Sequence, residues 1–266
     1  MAASLSEAAV GVLGNGDAGG KASASRAAAR DWRSGGIVEI GNAVPPKRPA
    51  RPDRPQLLMP RDMPRRRSGR GQSARIALLH AIAHIELNAI DLAWDLIARF
   101  AGAGLPREFF DDWVSVADEE AKHFDLLSER LGALGSSYGA LPAHDGLWEA
   151  AEATAHDLLA RLAVVPLVLE ARGLDVTPAM IERMERFGDQ DTAGILRTIY
   201  KDEITHVAAG VRWFTFECAR RACPPAATWR TLVARHFKGH LKAPFNEQAR
   251  TEAGFPKEYY AGAIAG

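Results

Sequence analysis

Two Glu-x-x-His motifs carry the most evident chemistry in this chain, Glu120-Ala121-Lys122-His123 and Glu203-Ile204-Thr205-His206. On a helix, residues three apart are neighbours, so each motif presents a carboxylate and an imidazole side by side. One such motif arises by chance in many helical proteins. Here each follows a lone glutamate at a matched distance: Glu86 lies 34 residues before Glu120, and Glu170 lies 33 before Glu203. The chain thus reads as a pseudo-repeat of two helical hairpins. Four carboxylates and two imidazoles form a hard oxygen-and-nitrogen set, better suited to iron or manganese than to copper(I) or thiolate-bound zinc. Four carboxylates also balance two divalent ions. The expected cofactor is a pair of Fe ions, with Mn or a mixed Mn/Fe pair as alternatives.

The elements that must position these groups are helices. Ile76, Leu79, Ile82, Ala83, Ile90, Ala93 and Ile97 form an i, i+3, i+4 stripe, with Ser73 as the expected N-cap and Gly102 and Gly104 as the stop. Pro106 opens a second helix that runs to about Leu134. A third is expected over 146–172, apolar all round at 162–169 and kinked at Pro166, with a restart at Thr177-Pro178 that runs to Phe187. A fourth spans Asp189–Arg221, and a fifth lies near 228–238. No segment alternates with period 2, so the class is all-α.

Helix rise supports a common level for the six groups. From Glu86 to the end of its helix is about 22 Å, and from Pro106 back to Glu120 about 21 Å, at 1.5 Å per residue. The second half gives about 21 Å on both sides if its broken helix keeps direction. Glu86, Glu170 and Glu203 sit among apolar helical neighbours, where an ionised carboxylate is costly unless paired or metal-bound. A buried Glu/His hydrogen-bond network without metal is the competing reading.

Other residues carry weaker signals. Glu119 and Asp202 immediately precede the motif glutamates and could accept hydrogen bonds from metal-bound imidazoles. Tyr200, three residues before Glu203, could donate a hydrogen bond there or relay an electron; core packing is the alternative. His80 and His84 form an i, i+4 pair about 200° from Glu86 for His84, available to a substrate or a separate zinc, or packed against the N-terminal arm or the crossover.

Lys+Arg and Asp+Glu both total 33 in 266 residues, so net charge points to no polyanionic partner. Locally the balance is uneven. Residues 45–70 hold seven prolines, and Lys47–Arg70 carries nine basic residues against Asp53 and Asp62. This arm either straps the acidic body, anchored by Leu57, Leu58 and Met59, or clamps RNA phosphates through residues such as Arg65-Arg66-Arg67. The expected organisation is an N-terminal extension and arm (1–70), a helical bundle (71–240) and a tail (241–266). Cys218 and Cys223 form no disulfide framework, and the chain has no run of 18 apolar residues and no signal-peptide pattern, so a cytoplasmic protein with no membrane partner is expected.

At its ligand motifs the sequence resembles the ferritin-like di-iron carboxylate superfamily over roughly residues 73–222. More narrowly, residues 80–100, 118–127, 200–214 and 245–255 are similar to the uncharacterised ferritin-like family called domain of unknown function 455, with a more distant likeness to ferritin-like tRNA hydroxylases. The resemblance implies a ferritin-like four-helix bundle with extra helices. It also implies a dinuclear oxidoreductase of hydroxylase or monooxygenase type. A tRNA-modifying hydroxylase, an iron-handling protein or a peroxidase are the alternatives. Expected partners are a small-molecule or RNA substrate and an external electron donor, since the chain has no Rossmann glycine motif and no rubredoxin-type cysteines. A second copy of the chain could make a homodimer.

Overall fold

The computed structural model describes residues 2–64 and 71–261, all-helical with no strand among them. The chain divides into two compact units, 1–148 and 149–266.

In the first unit, α1 (Leu5–Leu13) and α2 (Ala18–Arg33) precede the arm. Ser4 and Asp17 cap them, accepting from the backbone N–H groups of Glu7 and Gly20. Next come α3 (Gln72–Arg99) and α4 (Arg107–Ala133). The N-cap of α3 is Gly71 rather than the expected Ser73, and no side chain caps it. Gly104, at φ +66, makes the left-handed turn before Pro106 starts α4. Buried Leu79, Ala83, Ile90 and Trp94 of α3 and Phe109, Trp113, Val116 and Phe124 of α4 make the core. α3 is long and apolar enough to cross a membrane by composition, yet 72% of its most apolar window is buried within the protein, as in a core helix.

The arm docks on this unit, but not by the expected anchor. Leu57 and Met59 are 39% and 56% exposed. Polar contacts hold the arm instead. Arg51 pairs with Asp91 at 3.2 Å and donates to Asn88 at 2.6 Å, while fully buried Lys21 donates to Asp91 at 2.5 Å and to the Ala50 carbonyl at 2.9 Å. Arg48 pairs with Asp145, and Leu57 bridges Ala143, where Leu58 N–H donates to the Ala143 carbonyl. The apolar trio loses to a buried counter-charge because Asp91, taken out of water, needs cations. Arg65-Arg66-Arg67 lie outside the described residues.

The second unit takes in most of α5 (Gly146–Ala153), then α6 (Leu158–Val164), a π-helical turn (Val165–Glu170), α7 (Ala171–Arg186), α8 (Gln190–Arg220), α9 (Pro225–His236) and α10 (Glu247–Glu252). The expected helix over 146–172 is therefore broken. Asp157 caps α6 by accepting from Leu159 N–H at 3.1 Å, and Pro166 sits in the π turn, the widening that proline induces. The expected restart at Thr177-Pro178 does not occur; α7 runs through Pro178. Proline cannot donate to the carbonyl four residues back, and here Asn246 of the tail donates to that Leu174 carbonyl at 3.1 Å. Arg250 fastens the tail further, donating to both Asp175 oxygens at 2.9 and 2.8 Å beneath Phe245 and Tyr260.

Candidate metal centre

The first unit builds a three-residue ligand set from the α3–α4 hairpin. Glu86 comes from α3 and Glu120 and His123 from α4, and one ligand atom of each lies within 4.8 Å of the others. His123 Nδ1 is 3.4 Å from Glu86 Oε2 and 3.5 Å from Glu120 Oε2. Glu86 is 3% exposed and the other two are fully buried. Burial, and then the neighbouring Glu120 carboxylate, push the Glu86 carboxyl up to about 8, with His123 opposing the rise. Glu86 Oε2 makes no hydrogen bond. Two carboxylates converging on one imbedded imidazole nitrogen, with a buried oxygen left over, fit a divalent metal ion, which would supply the positive charge that the apolar surroundings lack.

The second unit repeats the theme. α8 presents Glu203 and His206, both buried, with His206 Nδ1 3.9 Å from Glu203 Oε2. Gly173 of α7 faces Glu203: a Cβ there would lie 3.8 Å from its carboxyl carbon. Farther along, Gly210 of α8 meets Pro166. These two contacts set α8 antiparallel to the π turn and α7 in a register that brings Glu170 level with His206. Glu170, the last residue of the π turn, is half-buried. A lone glutamate opposite the histidine of an ExxH helix is the arrangement of Glu86 and His123 as well.

Three of the other candidates, Tyr200, His80 and His84, make contacts with the tail and with the segment after α4. The Tyr200 hydroxyl accepts a hydrogen bond from Asn246 Nδ2 at 2.9 Å, so it fastens the tail. Glu119 and Asp202 are half-buried on α4 and α8. His80 and His84 pack against the crossover that follows α4. His84 Nδ1 meets the Tyr138 hydroxyl at 2.8 Å and Nε2 meets the His144 carbonyl at 3.0 Å, while His80 Nε2 accepts from Gly139 N–H at 2.9 Å. Gly173 and Gly210 mark where the helices of the second unit approach one another. Their signal was available: glycine inside a long helix costs about 1 kcal/mol relative to alanine, so it marks a place where something packs close.

A family model described as "Protein of unknown function (DUF455)" matches residues 15–261. The chain belongs to the DUF455 family. This DUF455 chain is also 43% identical over 211 residues to an uncharacterized protein of Haemophilus influenzae, covering 77% of the chain and 72% of that relative. No solved structure matches it. All six candidate ligand positions of this DUF455 member lie within the matched span.

Proposed function

We propose that this protein is a ferritin-like, non-haem dinuclear metal oxidoreductase that activates dioxygen to hydroxylate an organic substrate. Glu86, Glu120 and His123 would hold one side of a two-ion centre, and Glu170, Glu203 and His206 the other. The observation that carries this reading is the buried Glu86–Glu120–His123 set, repeated in sequence spacing and in helix register by Glu170, Glu203 and His206. Bound iron would supply the electrons that reduce oxygen, with manganese as the alternative metal and an external donor restoring the reduced state.

The chain's own residues have definite tasks in this scheme. Glu86, whose carboxyl burial favours in the protonated form, would have to give up that proton to hold a metal ion, so loading should release acid. His123 and His206 both turn Nδ1 toward the carboxylates, so a metal ion would be held through Nδ1, leaving Nε2 free of that task. Leu87, Ile90, Ala117, Leu196 and Val207, all buried, line the helices on either side of the ligands and keep water from them.

Metal stoichiometry tests the reading. Anaerobic loading with ferrous iron should give two ions per chain, and zero uptake by the wild type would end the metal reading. Aerobic reoxidation followed by ultraviolet-visible spectroscopy then reports whether the loaded pair reacts with oxygen.

A further inference from the structure

The chain holds two cysteines, Cys218 and Cys223, and neither is among the six candidate ligands. Five residues apart, they make no disulfide framework in sequence, yet the end of α8 brings them together. The helix closes in a Schellman turn: Ala222 N–H donates to the Ala219 carbonyl at 3.2 Å, and Cys223 N–H to the Cys218 carbonyl at 3.0 Å. In that motif the side chains at the two ends of the longer bond come into contact, and as a rule both are apolar. Here both are cysteines. Ala222 makes the turn at φ +50, the one non-glycine residue with positive φ among the described residues. Its Cβ crowds the following carbonyl, so this conformation persists because the surrounding contacts fix it.

The two thiols meet but differ in what reaches them. Cys223 Sγ donates to the Cys218 carbonyl at 3.6 Å and lies within hydrogen-bond reach of the Cys218 thiol. Cys218 is fully buried, whereas Cys223 is half-buried at the surface. Burial, and then the hydrogen bond with Cys223, push the Cys218 thiol up to about 12, which keeps it protonated and inert towards reagents in solution. Cys223 is therefore the sulfur that a reagent meets first. Cys218 waits behind it, and its position at contact offsets its small thiolate fraction. A bond between them would span only residues 218–223, and so short a loop adds little stability through chain entropy. Such a pair suits reversible chemistry better than a structural staple.

We propose that Cys218 and Cys223 form a reversible dithiol–disulfide site, oxidised by a small disulfide such as oxidised glutathione. The Cys223 thiolate attacks one sulfur of the reagent, whose S–S bond breaks; one glutathione thiol leaves, and a mixed disulfide remains on Cys223. Cys218 Sγ then attacks Cys223 Sγ. The Cys218–Cys223 bond forms, the mixed disulfide breaks, and the second glutathione leaves as a thiol with the proton that Cys218 gives up. Two electrons pass from the protein to the reagent, and a dithiol reductant returns them. The main-chain bond at 3.0 Å already closes the turn that the disulfide must span. The site does not depend on the metal reading: Cys218 lies about 18 Å beyond His206 along α8 at the helix rise.

Incubation of the reduced full chain with excess oxidised glutathione, followed by thiol counting and intact-mass measurement, tests this. With only two cysteines in the chain, the count is unambiguous. Wild type should lose both thiols, end two hydrogen atoms lighter and retain no glutathione, and dithiothreitol should restore both thiols. Cys218→Ala should stop at one glutathionyl group per chain. Cys223→Ser should react at least tenfold more slowly than Cys218→Ala, because its remaining thiol is buried. Two thiols surviving in wild type, a lasting glutathionyl adduct on it, disulfide-linked pairs of chains in place of the internal bond, or equal reaction of the two variants would each overturn the proposal. The wild-type mass alone decides the internal bond if either variant fails to fold.

Discussion

Gly210 of α8 meets Pro166 of the π-helical turn with no room for a side chain: a Cβ on Gly210 would lie 2.5 Å from Pro166 Cβ. This contact sets the register that brings Glu170 level with His206. Gly210→Ala should therefore force the two segments apart and destabilise the protein by about 1–3 kcal/mol, as overpacking does. Gly194 on the same helix has nothing within 4 Å of its would-be Cβ, so Gly194→Ala should be neutral or stabilising by up to about 1 kcal/mol. Denaturant midpoints of the two variants, measured side by side, check this.

Asp91 is the buried counter-charge for Lys21 of α2 and Arg51 of the arm, at 2.5 and 3.2 Å. Asp91→Asn leaves both cations facing a neutral group, at a cost of about 3 kcal/mol. It should also loosen the arm. Trypsin digestion of native protein should cut after Lys47, which is not followed by proline, faster in the variant than in wild type, and equal cutting would show that the arm is held by other contacts.

His84 makes the first unit sensitive to acid. Burial lowers its pKa to about 4, from an ordinary value of 6.5. Between those values the unfolded chain binds more protons at this position than the folded one, so its contribution to stability falls as pH falls from 6.5 towards 4. The full loss is on the order of 3 kcal/mol. His84→Gln should lower stability at neutral pH and flatten that slope. The difference between wild-type and variant unfolding free energies across pH 4–7 isolates the effect from other titrating groups.

The carboxyls of Glu86 and Glu120 are unfavourable neighbours in metal-free protein, where burial and mutual repulsion favour the protonated form of Glu86. Glu86→Gln should therefore leave a folded helical protein whose metal-free melting temperature at pH 7.5 equals or exceeds that of metal-free wild type, while metal uptake is lost. A melting temperature lowered by several degrees, with circular dichroism showing lost helix, would assign Glu86 a structural task instead.

Much of this was legible in the chain itself. The helical class and the meeting of Glu86 with Glu120 and His123 follow from periodicity and spacing, because a helix converts sequence separation into a fixed rise and angle, and Glu86 therefore reaches the other two across a short connection. Other features depend on residues far apart in sequence. Pro178 stays inside α7 because Asn246, 68 residues later, serves the carbonyl that proline cannot. The arm is held by Arg51 and Lys21 rather than by Leu57 and Met59, since the helix packing buries Asp91 where those two cations reach it. His80 reads in sequence as one member of an i, i+4 pair; the crossover's backbone N–H groups decide which of its nitrogens holds the proton. Local propensity and pattern specify elements and the residues they carry, whereas caps, tolerated breaks, buried counter-charges and cavities arise from contacts between segments that only folding brings together.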